Sequence, residues 1–269
     1  MKKLKFLTIT LCSIITFQSF SQDEKLTIPL SKPGTVGMLN VNLVNGSIHV
    51  KGADVNEVTV VTKVKADNYT KEHVREDGMR RISTNKGFEV TAEEEDNNVS
   101  IRSHNPNQKL VLEVTVPKNF NLKVRTVNSG DVSATNVNGN LELGNVNGSI
   151  SMKDVSGSAI TSTVNGNITG NFKSLDSSSP MAFTTLNGNV DITFPASLKA
   201  NVKVQSERGE MYSDFEINLD KTVPPMQKST ENGLHKIKKS GWTMGKIGSG
   251  GAEITMKTMN GDILIRKAK

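Results

Sequence analysis

The chain has 269 residues, 33 of them basic and 27 acidic, giving a formal charge of +6. Its basic residues are scattered and its aromatic content is 4%, which excludes a nucleic-acid surface built on stacking rings and basic patches. Low apolar content with abundant Asn, Ser, Thr and Gly suits a thin β core better than a compact α/β enzyme, and the single cysteine, Cys12, excludes a disulfide framework.

Residues 1–21 read as a secretory signal peptide. Lys2, Lys3 and Lys5 form a basic start, Phe6 to Phe17 an apolar core, and Ser19-Phe20-Ser21 a small-x-small cleavage site before Gln22. The segment is shorter than the roughly 20 apolar residues of a membrane span. Cys12 follows Leu11 inside the apolar core and departs with the signal. The expected mature chain, 269 less 21 or 248 residues, is cysteine-free and carries 30 basic against 27 acidic residues once three lysines are lost. No later stretch is apolar and long enough to span a membrane. The expected location is the periplasm, the outer-membrane surface or the medium of a Gram-negative bacterium.

Residues 22–269 read as one domain, with irregular strands over 22–116, regular repeats over 117–213, an insertion loop over 218–251 and closing strands over 252–266. In the first part, Leu26 to Ile28, Val36 to Val44 and Val58 to Val64 are rich in Val, Thr and Ile and read as strands. Residues 67–81 are charged without a clean period and read as a helix or loop. Phe88 to Ala92, Val99 to Arg102 and Leu110 to Val116 resume alternation, with a hairpin turn at Asp96-Asn97-Asn98. The run Glu93-Glu94-Glu95-Asp96 lacks the spaced oxygen ligands of a calcium loop and reads as a solvated hairpin end.

The repeats begin at Val127. Gly130, Gly139, Gly148, Gly157 and Gly166 are nine residues apart, and diverged copies surround Gly46, Gly188, Gly209 and Gly261. Position +2 from each glycine is apolar in all nine copies: Ile48, Val132, Leu141, Ile150, Ala159, Ile168, Val190, Met211 and Ile263. Position −2 is apolar in seven, the exceptions being Asn128 and Glu207, and position +1 is small and polar or acidic. The alternation predicts half-buried strands with −2, 0, +2 and +4 sharing the inner face.

Polar pairs at Gly144-Asn145, Lys153-Asp154 and Ser162-Thr163 separate successive strands. A meander needs primed turns there, and only Gly144-Asn145 has the chemistry. Stacked rungs instead require close backbone approach at every turn, which glycine permits. They also bring Asn138, Asn147 and Asn165 together in ladders. The predicted fold is all-β, a single-domain β-solenoid resembling a parallel β-helix, with an antiparallel β meander or sandwich as the alternative.

Two phrases are related to each other: Val114-Thr115-Val116-Pro117-Lys118-Asn119-Phe120 and Ile192-Thr193-Phe194-Pro195-Ala196-Ser197-Leu198. Each ends a strand at proline and then enters a repeat strand. The 218–251 insertion holds Pro224-Pro225, the basic cluster around Lys236, Lys238 and Lys239, the single tryptophan Trp242, and a Gly248-Ser249-Gly250-Gly251 turn.

The Val-x-Val-Pro entry, the serial Asn-Gly-x-Ile phrases and the ending Ile254-Thr255-Met256-Lys257-Thr258-Met259-Asn260-Gly261-Asp262-Ile263 resemble the putative-adhesin family of bacterial β-strand-repeat proteins. The resemblance implies a β-helix-like body and a role in surface attachment. It supplies no catalytic or ligand residues.

The chemistry-bearing residues point the same way. His49, His73, His104 and His235 are isolated, and no Gly-x-Ser-x-Gly elbow is present. No catalytic, cofactor-binding or metal residue is assigned, and no cofactor is expected. The expected function is a non-enzymatic, exported adhesin-like protein of the cell envelope. The alternatives are a purely structural envelope protein and a β-helical polysaccharide-acting enzyme. Lys236, Lys238, Lys239 and Trp242 form the candidate contact loop for a surface glycan or protein, and Trp242 is otherwise expected to cap the end of the solenoid.

Overall fold

The computed structural model describes residues 24–64, 88–104, 106–220, 227–231, 234–238 and 241–269. The signal-peptide reading, the charged 67–81 segment and Lys239 lie outside them. Among the described residues, twenty strands form one continuous sheet wrapped into two faces, with a separate two-stranded hairpin.

Eight rungs stack along the solenoid, each with a rear strand, a corner and a front strand. Rung 1 is Asn98–Ser103 with Leu110–Pro117, and rung 2 is Gly37–Asn42 with Gly46–Ala53. Rung 3 is Phe120–Arg125 with Val132–Thr135. The long strand Ile150–Ser162 serves two rungs: its first part is the front strand that follows Asn138–Gly144 in rung 4, and its second part, paired with Asn138–Gly144, is the rear strand that precedes Ile168–Leu175 in rung 5. Rung 6 is Met181–Thr184 with Val190–Phe194, rung 7 is Glu253–Thr258 with Ile263–Lys267, and rung 8 is Ala200–Ser206 with Met211–Ser213. All pairings between adjacent rungs are parallel, including Ile150 beside both Val132 and Ile168. This is the predicted solenoid and not the meander.

The rungs are not stacked in chain order. After Pro117 the chain passes from rung 1 to rung 3, because residues 37–53 already occupy rung 2. After Pro195 it passes from rung 6 to rung 8, leaving rung 7 for residues 253–267. The two related proline phrases therefore mark the two places where the chain skips a rung. A turn lacking one N–H suits a strand end that must leave its neighbour.

Antiparallel strands close the ends. Glu57–Val64 covers rung 1 on the front and Glu24–Pro29 lies outside it, while Val90–Glu95 covers rung 1 on the rear. At the far end Thr243–Ile247 and then Ile217–Leu219 extend the rear face beyond rung 8. The predicted hairpin turn is present, with Asp96 and Asn97 both in the left-handed region at φ 53° and 62°. Its acidic run works as a clamp. Glu94 accepts hydrogen bonds from Ser31 and from the Asn97 N–H, and Asp96 pairs with Lys32 at 2.8 Å.

The core runs the length of the stack. Eight of the nine +2 residues are buried, and Met211 alone is exposed because its strand belongs to the last rung. Phe172, Phe183 and Phe194 pack together inside rungs 5 and 6, Phe172 stacked on Phe194 with centroids 5.7 Å apart.

Two sequence expectations need correction. Gly130, Gly148 and Gly166 stack on one another eighteen residues apart, so the nine-residue phrase is half a turn. Asn138 accordingly lies at the opposite corner, bonded to Asn119, and not in the ladder of Asn147 and Asn165. The strand Ile150–Ser162 also runs without a break through Lys153-Asp154, where the left-handed Asp154 (φ 55°) turns it.

The Asn-Gly corner and the candidate contact surface

The corner joining rear to front strands is built from three parallel hydrogen-bond rows. The first is an amide ladder. Asn147 donates to Asn128, Asn165 to Asn147, Asn187 to Asn165 and Asn260 to Asn187, at 3.0, 2.8, 2.8 and 2.6 Å. Asn45 stacks on Asn128 and donates to the Pro106 carbonyl. In the second row the +1 side chains accept backbone N–H bonds from the next rung: Ser149 N–H to Asp131, Asn189 N–H to Asn167, Asp262 N–H to Asn189 and Glu210 N–H to Asp262, at 2.8–2.9 Å.

The third row is internal. The hydroxyls of Thr126, Thr163, Thr185 and Thr258 each donate at 2.9 Å to a glycine carbonyl of the adjacent rung, namely Gly46, Gly148, Gly166 and Gly188. Asn145 does the same to Gly130 through its amide. These five side chains are buried, and each satisfies a carbonyl that otherwise faces the core. A Cβ on Gly148, Gly166, Gly188 or Gly261 would strike the glycine carbonyl of the neighbouring rung. Gly188 and Gly261 also hold φ of 153° and 149°, which side chains rarely adopt.

The sequence reading missed this inner row, although a Thr, Ser or Asn three residues before the glycine recurs in most copies. It also placed position −2 inside, which holds at the opposite corner, where Val137 and Val155 are buried. At the Asn-Gly corner the chain bends, so the −2 residues Val44, Val164 and Leu186 are 47%, 37% and 43% exposed, and Val127, one place earlier in its copy, is 40% exposed.

The described residues of the candidate contact loop fall on two elements. Lys236 and Lys238 belong to the strand Leu234–Lys238, paired antiparallel with Gln227–Glu231. Trp242 immediately precedes Thr243–Ile247 and lies on the outside of the rear face, half-buried. The Lys203 Nζ is 4.8 Å from its ring centroid and the Lys257 Nζ 5.9 Å, so two ammonium groups from rungs 7 and 8 share one indole. Trp242 is not the cap: strands 243–247 and 217–219 extend the end. Lys203 also lines an open trough of about 610 Å³ together with Asn201, Met244, Lys246, Asp220 and Glu253, so the trough carries charges of both signs.

Two further polar sites have local structural partners. His49 Nδ1 lies 2.7 Å from Ser133 Oγ on the open front face. The flanking N–H groups belong to parallel ladders, which leaves no pair of donors for an oxyanion. A hollow of about 300 Å³ at the opposite corner is floored by Leu175, Met181, Leu198 and Ile254. On its rim Asp176 accepts hydrogen bonds from Ser178 and Ser179, and these hold its carboxyl down at about 2. Among the described residues no group of three or more His, Cys, Asp or Glu side chains is placed to hold a metal ion. No helix among them is long and apolar enough to cross a membrane.

Comparison with curated proteins returned no match. Among solved structures the chain is similar to a putative cell adhesion protein from Clostridium sporogenes, at 12% identity and TM-score 0.44, covering 92% of this chain and 100% of that one. It is also similar to a putative adhesin from Bacteroides fragilis, at 10% identity and TM-score 0.29, covering 92% and 98%. The Toastrack DUF4097 family model matches residues 5–266, nearly the whole length, and the chain belongs to that family.

Proposed function

We propose that this protein is an exported, non-catalytic, adhesin-like component of the bacterial cell envelope or surface, whose solenoid is a rigid support for attachment to a glycan or protein. The observation that carries the reading is the regularity of the stack. Eight rungs satisfy their own backbone groups through continuous ladders and set side chains in straight rows, one per rung. Such rows suit a repetitive or extended partner better than a small substrate, which needs convergent groups in a concave site. The contact surface in this reading is the rear face around Trp242, Lys203 and Lys257, facing an acidic glycan or acidic protein segment.

The test has two arms. Cell fractionation and intact mass are expected to place a chain starting at Gln22 outside the cytoplasm. Beads coated with the protein are expected to adhere to immobilised polyuronate and not to neutral dextran, with adhesion falling at least about tenfold in Lys203→Glu/Lys257→Glu. Adhesion unaffected by that double substitution removes the rear face from the proposal. A chain retained in the cytoplasm sinks the envelope role.

A further inference from the structure

We infer that the exposed aliphatic ridge along the Asn-Gly corner is a self-association surface that joins two copies of this chain side by side. Val44, Val127, Val146, Val164, Leu186 and Met259 occupy successive rungs, from rung 2 to rung 7. Their register is fixed by bonds from the next rung's asparagine N–H to each carbonyl: Asn128 to Val44, Asn147 to Val127, Asn165 to Val146, Asn187 to Val164 and Asn260 to Leu186. Four of the six are at least 37% exposed, and the other two are half-buried. Five rung steps of about 4.8 Å make a ridge roughly 24 Å long. A contiguous apolar strip of this kind on a polar protein marks an interaction site.

The chemistry of the corner selects the occupant. Neither the ridge nor the asparagine row beside it holds a charged residue between rungs 2 and 7, whereas rung 8 puts Glu207 and Arg208 at the equivalent positions. The +1 row on the other flank contributes Asp131, Asp262 and Glu210, which disfavours an anionic membrane or acidic glycan. An added β-strand finds no open edge here, since the corner N–H and carbonyl groups already bond between rungs. What remains is a neutral apolar partner with the same rung spacing, and another copy of this solenoid has it. Two copies related by a two-fold axis perpendicular to the ridges place them antiparallel. The axis then falls between Val146 and Val164, so Val146 meets Val164, Val127 meets Leu186, and Val44 meets Met259 of the second copy.

The protein, purified from cells expressing the full chain, is expected to sediment as a dimer that dissociates on dilution. Val164→Asp/Leu186→Asp is expected to raise the dissociation constant by about a hundredfold or more. Both residues are surface-exposed, so the melting temperature serves as the control for folding. In a Cys12→Ser background, Val44→Cys is expected to form a disulfide with Met259→Cys on mixing and not with itself. A monomer at every attainable concentration overturns the inference. So does a dimer insensitive to the aspartates, or self-crosslinking of Val44→Cys in preference to the mixed pair.

Discussion

The two corners of the solenoid follow opposite rules. At the Asn-Gly corner the same phrase recurs from rung 2 to rung 7, and three hydrogen-bond rows tie each rung to the next. At the opposite corner a shorter ladder, Asn119 with Asn138 and Asn121 with Asn140, connects rungs 3 and 4, is carried to rung 5 by Ser158 donating to Asn140, and then gives way. Both rung skips occur at this second corner, after Pro117 and Pro195. So does the lengthening of the turn from 18 to 22 residues between rungs 5 and 6, and so does the departure and return of the long 214–252 excursion. Where side chains of each rung bond to the rungs above and below, the corner takes one extra residue, Ser129 of rung 3 at φ 60°, which leaves Asn128 and Gly130 in their rows. Where the rows stop, the corner takes insertions of four residues and more.

The largest effect expected from this difference is steric. Gly148→Val drives a Cβ into the Gly130 carbonyl and should cost more than about 4 kcal/mol or abolish folding. A four-residue Gly/Ser insertion between Ser179 and Pro180, at the opposite corner, should cost below about 1 kcal/mol. Denaturant unfolding of both variants decides the matter. Equal losses would mean that the corners are not mechanically distinct.

Next in size is the core common to both corners. Ile150 is fully buried between Val132 and Ile168, and Ile150→Ala should cost about 2–5 kcal/mol. Thr163→Val then tests the inner row alone. It keeps shape and volume but leaves the Gly148 carbonyl without its hydroxyl, a loss of about 1–3 kcal/mol. A value near zero would reduce the inner row to a consequence of packing.

The asymmetry of the corners also explains what the sequence discloses. Apolar +2 positions and the spacing of glycines reveal strands and stacking, because burial in a rung requires a side chain of one kind at one place. The half-turn period stays hidden, since Gly139 and Gly157 sit at the opposite corner in the same phrase as Gly130 and Gly148. Alternation counting likewise carries Val164 and Leu186 inward across a bend that it does not register. The kinship of the Pro117 and Pro195 phrases is visible in the chain. Its meaning is not, because a skipped rung depends on residues 37–53 and 253–267 arriving from far away in sequence. The Trp242 surface is hidden for the same reason: Lys203 and Lys257 reach the ring only through the intercalation of rung 7.

The smallest expected effect concerns charge. The amide ladder holds no titrating group, whereas the 175–180 turn is organised by the Asp176 carboxylate, which accepts the Ser178 N–H at 3.0 Å and the hydroxyls of Ser178 and Ser179 at 2.6 Å. Those bonds favour the ionised form and lower its pKa from 3.8 to about 2. A carboxyl depressed in the folded state stabilises the fold fully above its unfolded value, and this contribution is lost as pH falls through the folded value. Between about pH 4 and pH 2 the opposite corner should therefore loosen while the Asn-Gly corner does not. Amide exchange is the measurement, with the protection of Ser178 compared with that of Asn165 after correction for intrinsic rates. Asp176→Asn should remove most of the pH dependence at Ser178. Parallel loss of protection at Asn165 over the same range would show that the two corners open as one unit.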